Sequence, residues 1–354
     1  MEKPKTLEEL LKSCPSNGVI IDGLVKAWSI INNPQYSSIL CSVSGGSDSD
    51  IVMDIVWKCD TDNKVTYAWY NTGMEYQATK DHLVELEEKY GVEILRKRPA
   101  KPVPINCKTY GRPFVSKTAS EYMSRLQKHG FTWEDKPFEV LIQEYPNCKS
   151  ALEWWCNRHR SQKLNIKNNK WLKEFLIQNP PTFRISEKCC EYSKIACINQ
   201  IKKEKDYQLE IVGIRKSEGG QRATLSSCFK KRILTDTVKV TRGKLTDVYR
   251  PLFWYKQEDK RQYETTCLIN HSNCYTKYGL KRTGCAGCPF GQDFEQELEA
   301  LRLYEPKLFA AANAVFKESY EYTRKYRVFQ QQMGMGRSRK LGNCETRSQS
   351  QLKM

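Results

Sequence analysis

The chain has 354 residues, which sets two domains, or one large domain with insertions, as the prior. Hydrophobic residues at 39% and aromatics at 11% exclude an intrinsically disordered chain, and no apolar run approaches the ~18 residues that span a bilayer. Lys and Arg number 58 against 41 Asp and Glu, a net charge of +17, which points to an anionic partner: nucleic acid, a phosphorylated small molecule or an acidic surface.

The N-terminus, MEKPKTLEELLKSC, carries acids and lacks an apolar segment, so no secretory signal and no membrane are expected, and the location expected is cytoplasmic. Residues 5–35 place Leu7, Leu10, Leu11, Leu24, Val25, Trp28 and Ile31 at helical spacing, an N-terminal helical cap over 1–36. The apolar run 38–43, closed by Gly45 and Gly46, reads as a buried strand. A helix over 48–58, a strand over 65–70, a helix over 76–90 and a strand over 92–95 follow. That alternation predicts an α/β fold, an open, mostly parallel sheet wrapped by helices.

The α/β core is expected in two parts, 37–114 and 186–292, with a helical, basic and aromatic insertion at 115–185. Pro99, Pro102, Pro104 and Pro113 open the interruption, and Leu209–Gly213 resumes the regular pattern. The segment 186–292 holds the clustered cysteines of a cysteine-rich C-terminal lobe. Helices and a flexible tail complete the chain at 293–354.

SVSGGSDSD, residues 42–50, joins the first strand to the first helix. Glycines there let a ligand approach the backbone, and N–H groups at a helix N-terminus attract phosphate. Asp48 would repel bare phosphate, so the sequence asks for a metal–pyrophosphate, with Mg²⁺ between the acid and the ligand. The alternative is a strand-end turn and helix cap. Position favours the ligand, because the first βα turn of an open parallel sheet is where ligands bind.

SGGSDS resembles the PP-loop of the ATP-pyrophosphatase superfamily, in its phosphoadenosine-phosphosulfate (PAPS) and adenosine-phosphosulfate (APS) reductase branch. YAWYNTGMEYQATKDHL (67–83) and GIRKSEGGQRA (213–223) resemble two further motifs of that branch. The resemblance implies an adenine nucleotide α-hydrolase-like fold. It also implies nucleotide contacts from Ser44, Gly45, Gly46, Ser47, Asp48, Ser49, Asn71, Thr72, Gly73, Glu75, Arg215 and Arg222. Arg215, after an apolar strand, suits bidentate phosphate recognition; the alternative is a surface ion pair with Glu218.

In a reducing compartment the fifteen cysteines are not a disulfide framework. Cys14, Cys59, Cys107, Cys148, Cys156 and Cys228 are scattered and read as small buried hydrophobes. Cys189, Cys190, Cys285 and Cys288 form two pairs that suit tetrahedral zinc or a [4Fe–4S] cluster. Adjacent cysteines are awkward for zinc, which favours iron–sulfur. The APS reductases carry the same two pairs on a [4Fe–4S] cluster, with Cys197, Cys267 and Cys274 as substitutes here and Lys277, Lys281 and Arg282 to offset its charge.

The reductases also use a C-terminal nucleophilic cysteine in a Glu-Cys-Gly-(Leu/Ile)-His context, absent here; Cys344 in Gly-Asn-Cys-Glu-Thr is the sole late candidate. A PP-loop with Asp48 and a cluster without that tail resembles the sulfur-inserting relatives. The function this implies is ATP-dependent adenylation with [4Fe–4S]-assisted sulfur transfer to a nucleic acid or similar acceptor, supplied by a cysteine desulfurase. Asp48 and Arg215 would carry the catalysis. One alternative is reduction of PAPS or APS to sulfite with a thiol reductant. Another is a non-catalytic nucleic-acid-binding component. Trp154, Trp155, Trp171 and Phe175 interleave with Arg158, Arg160, Lys163, Lys167, Lys170 and Lys173. Lys230, Lys231, Arg232, Lys239, Arg242 and Lys244 follow. This pattern suits stacked bases and a phosphate backbone, or else a subdomain core under a solvated face.

Overall fold

The computed structural model describes residues 2–231 and 246–350, with side chains described throughout these except at 220–221 and 335–350. Arg232, Lys239, Arg242 and Lys244 lie outside the described residues, as does the side chain of Cys344. The chain divides into two compact units. The first holds Met1–Pro102, Tyr192–Ala286 and Gln296–Leu308; the second holds Val103–Glu191, Gly287–Glu295 and Phe309–Met354.

The first unit is built on a six-stranded sheet: β1 (Ile39–Ser42), β2 (Val65–Tyr70), β3 (Ile94–Lys97), β4 (Leu209–Val212), β5 (Phe229–Lys230) and β6 (Asp247–Tyr249). The order is β3-β2-β1-β4-β6-β5, parallel except for the edge pair β5 and β6. Strands covered on both faces read as continuous apolar runs, and β1 does so. Ile39 and Cys41 pack into the core beneath the helices Gly18–Ile31 and Ser47–Cys59, while Leu40 meets Cys197 and Ile201 on the other face. In register, Ser42 pairs with Ala68 of β2 and Val212 of β4. The strand order therefore reverses direction at β1, and the crevice beyond Ser42 and Val212 is the topological switch point.

Each expected element up to residue 97 is present. The cap segment comprises the helices Leu7–Lys12 and Gly18–Ile31, started by the side chains of Thr6 and Asn17, which accept from backbone N–H groups. β3 starts at Ile94 rather than 92, because the Glu87 carboxylate accepts the Ile94 N–H at 2.7 Å and holds the chain at the sheet edge. The cysteine pair 189–190 opens a helix as expected. It runs from Lys188–Cys190 through a π-helical turn, Glu191–Ile195, into Ala196–Glu204. β5, β6 and the helix Gln257–Thr266 carry too few periodic apolar residues to have been read from the sequence.

The second unit is helical and packs around aromatic rings. Phe114, Trp154, Trp155, Phe175, Tyr322 and Tyr326 share one core, with Trp155 and Phe175 fully buried. Phe175 lies 4.9 Å from Tyr322 and 5.0 Å from Tyr326, centroid to centroid. Of the two readings of the interleaved aromatics, the subdomain core holds for Trp154, Trp155 and Phe175, whose apolar area is buried against each other. The unit starts at Val103, where the expected insertion starts at 115. One helix, Pro306–Ser350, occupies the stretch expected as a flexible tail. No proline follows Pro306 to stop it.

Candidate nucleotide site

The loop Val43–Gly46 leaves the end of β1 and turns into the helix Ser47–Cys59. Gly45 has φ +66°, and a Cβ there would stand 2.7 Å from the Thr79 Cγ2, so a side chain is excluded twice over. Gly46 caps the helix with no side-chain bond, and a Cβ on it would meet the hydroxyls of Thr283 and Tyr275 at 3.1 and 3.2 Å. The serines close the loop upon itself. The Ser44 N–H donates to Ser49 Oγ at 2.8 Å, and the Gly46 N–H donates to Ser44 Oγ at 3.3 Å. The Ser47 N–H donates to the Tyr275 hydroxyl at 3.1 Å.

Beside the loop lies a cleft of about 540 Å³. Its lining includes Ser44 and Gly46 from the loop, Ser47, Asp48 and Ser49 from the first turn of its helix, and Arg215 and Arg222 from beyond β4. Lys260, Tyr275, Lys281, Arg282 and Thr283 complete the far wall. Five cations face two carboxylates, Asp48 and Glu218, so the cleft is built for an anion. A smaller pocket of about 140 Å³ shares Ser42, Ser44 and Thr283 with it and adds Val43, Trp69, Tyr70, Glu75, Thr79, Lys194 and Ile198.

Asp48 is the hub of the cleft. Its Oδ2 accepts from Arg215 Nε at 2.8 Å, and its Oδ1 pairs with Lys260 Nζ at 2.8 Å. Lys260 also donates to Ser47 Oγ. Burial would raise the Asp48 pKa, but the hydrogen bonds from Arg215 and Lys260 outweigh it and hold the carboxyl below the usual carboxylate range. Both carboxylate oxygens face a cation, yet each keeps a lone pair, so Asp48 would hold the expected Mg²⁺ alongside Arg215 and Lys260. Arg215 also reaches toward Gln257 Oε1 at 3.4 Å, and its backbone N–H donates to Glu218 at 3.3 Å. The alternative reading of Arg215 as a partner of Glu218 therefore belongs to Arg222, which ion-pairs with Glu218.

The second motif has a different part. The Asn71 side chain accepts the Gly73 N–H at 3.0 Å, and the Thr72 hydroxyl donates to Glu75. Gly73 sits at φ +87°. The turn is thus closed by its own side chains. Glu75 lines the smaller pocket, while Asn71, Thr72 and Gly73 line neither. The Ala286 N–H donates to the Met74 carbonyl at 2.7 Å, and Thr72 Oγ1 lies 3.3 Å from Cys285 Sγ. The turn therefore anchors the cysteine loop.

In the second unit, Cys189 is buried and hydrogen-bonded with the thiols of Cys107 and Cys190, with Cys288 near enough to act on it electrostatically. The bond to Cys107 raises the Cys189 pKa most; that to Cys190 opposes it, and burial raises it further. Cys107, read as a scattered core thiol, is thus a neighbour of the tandem pair, carried by the helix Val103–Tyr110. Among the described residues no three His, Cys, Asp or Glu side chains stand as a ready metal-ligating group. Of the four expected cluster cysteines, Cys189, Cys190 and Cys288 belong to the second unit and Cys285 to the first. The substitutes are engaged elsewhere: Cys274 beside Thr79 at 3.6 Å, Cys197 in the core under β1, and Cys267 near Lys58. Lys281 and Arg282, expected beside the cluster, line the anion cleft.

Lys260, Tyr275, Thr283 and Cys107 are the residues that sequence reasoning missed. A lysine in the charged run QEDKRQYETT carries no signal that it meets the first loop. That meeting is a product of the fold.

A mostly parallel sheet with a glycine–serine turn and a cationic cleft at its switch point is the architecture of the open α/β proteins, whose ligands are held at that position. Over residues 38–132 the chain matches the phosphoadenosine phosphosulfate reductase domain family, the resemblance expected from its motifs. No curated protein matches. Three solved structures align with most of the chain. A phosphoadenylyl-sulfate (PAPS) reductase from Candida auris, in a phosphate complex, has 11% identity and TM-score 0.40, covering 80% of this chain and 96% of that one. The U34-tRNA thiolase NcsA from Methanococcus maripaludis, with its [4Fe-4S] cluster, has 12% identity and TM-score 0.36, covering 88% and 80%. An NH3-dependent NAD synthetase from Campylobacter jejuni, in complex with the nitrate ion, has 12% identity and TM-score 0.31, covering 86% and 94%. No helix among the described residues is long and apolar enough to cross a membrane.

Proposed function

We propose that the first unit binds an adenine nucleotide, with its phosphates in the cationic cleft and its base in the adjoining pocket beside Trp69 and Tyr70. The observation that carries this reading is the Arg215–Asp48–Lys260 constellation at the N-terminus of the loop helix. There two cations, the helix end and a glycine-built loop converge on one anion-sized space.

The reaction that follows is nucleotidyl transfer. An acceptor oxygen attacks the α-phosphorus, the bond to the bridging oxygen breaks, and pyrophosphate leaves. Arg215 offers a planar guanidinium to the non-bridging oxygens, and Lys260 stabilises charge on the leaving pyrophosphate. A magnesium ion held by Asp48 would supply further neutralisation of the phosphate charge. The sulfur transfer implied by the resemblance, to a nucleic acid or similar acceptor, would fall to the thiols Cys107, Cys189, Cys190 and Cys288. Whether these take up iron is tested by iron and acid-labile sulfide analysis of anaerobically purified protein.

An excess of cations over carboxylates in the cleft also favours a second reading, binding of PAPS or APS and reduction to sulfite with an external thiol. Calorimetry with ATP and with PAPS separates the two. ATP binding with pyrophosphate release, lost in Arg215→Met, supports nucleotidyl transfer. PAPS binding with sulfite release, lost in Cys344→Ser, supports reduction. Binding of neither nucleotide overturns both.

A further inference from the structure

Behind the cleft, the loop helix carries a second acid. Asp50 is fully buried between two imidazoles, His82 Nε2 at 3.2 Å from Oδ1 and His271 Nδ1 at 2.7 Å from Oδ2. The other nitrogen of His271 meets Glu264 Oε1 at 2.9 Å. Both ring nitrogens thus face carboxylate oxygens, and only the doubly protonated ring donates to both. Glu264 lies one turn after Lys260 on the helix Gln257–Thr266, and its Oε1 is 3.6 Å from Lys260 Nζ. Lys260 is therefore contested. Asp48 holds it at 2.8 Å, while Glu264, an i,i+4 partner on its own helix, would take it if free to turn.

We infer that His271 is a positioning residue: by occupying Glu264, the imidazolium keeps Lys260 directed at Ser47 and Asp48, at the phosphate end of the loop. The groups facing His271 are Asp50 from the loop helix, Glu264 from the helix Gln257–Thr266, and the Tyr275 ring at 5.8 Å. Burial opposes its charge, but the hydrogen bonds to Asp50 and Glu264 prevail and raise its pKa to about 9, so the imidazolium persists at neutral pH. The functional consequence rests on the anion-binding reading of the cleft; the placement of Lys260 does not.

A double-mutant cycle on the full chain tests this, with His271→Gln, Glu264→Gln and the two combined. Inorganic pyrophosphate is the probe for calorimetry, and the titration of the Asp48 carboxyl carbon by NMR is read without ligand. His271→Gln lets Glu264 draw Lys260 away. Pyrophosphate affinity then falls about tenfold and the Asp48 titration moves up by about one pH unit. Removing the competitor as well, in the double variant, restores both readouts, which a purely structural loss would not do. Glu264→Gln alone leaves both near the wild type. An unchanged Asp48 titration in His271→Gln, or a double variant no better than the single, overturns the inference. A wild type that binds neither pyrophosphate nor nucleotide, with the Asp48 shift still present, leaves the positioning role standing and sinks the reading of the cleft instead.

Discussion

Asp48 stands between Arg215 and Lys260, and removing its charge leaves two cations side by side in a largely buried cleft. Asp48→Asn should therefore cost about 2–3 kcal/mol of stability, read by denaturant melts, because an uncompensated pair of buried charges is expensive. The wild-type contribution is present above the ordinary Asp pKa and fades as the pH falls through the lower value of the folded state. The opposite sign applies to His271. Its raised pKa gives a stabilisation fully present below the ordinary 6.5 and lost as the pH climbs to about 9. Melts of the wild type minus those of His271→Gln should show a difference that shrinks across that window; a constant difference would mean the ring is neutral. At Arg215, substitution by Lys keeps the charge but loses the fork that grips two oxygens. Nucleotide affinity should drop about 10- to 100-fold by calorimetry, with the melting temperature nearly unchanged.

Among the elements, the turn after β1 was legible because its chemistry is local. Glycines needed for a positive φ and serines able to cap a helix announce themselves in nine residues, and the flanking apolar runs set the strand and helix. Gly45→Ala tests that reading. With φ at +66° and Thr79 Cγ2 at 2.7 Å from the added methyl, it should destabilise by about 2 kcal/mol and weaken nucleotide binding together. The NTG turn was legible as a motif, but its part was not. That Asn71 and Thr72 brace the turn and the cysteine loop depends on Cys285 and Ala286 arriving from over 200 residues away. Lys260 and His271 were invisible for the same reason. Nothing within their own helix and loop distinguishes a lysine facing solvent from one facing Asp48.

On the scale of the whole molecule, the charge of +17 and the aromatic content pointed the same way, and packing accounts for the aromatics alone. The aromatic rings of the second unit are its core, so Trp154→Phe should lower stability by about 1–2 kcal/mol and leave any affinity for nucleic acid and its salt dependence unchanged. A folded Trp154→Phe protein that loses such affinity would place the ring on the bases. By itself the sequence determined what local rules control: the alternation of strands and helices to residue 97, the glycine–serine turn and the tandem cysteines. Tertiary structure decided everything that needs two distant segments to meet. It paired Asp48 with Arg215 and Lys260, set Cys107 against Cys189, and turned Trp154 and Trp155 inward. Periodicity reports which face of an element is apolar, but only packing decides what that face, or a charge beside it, finally touches.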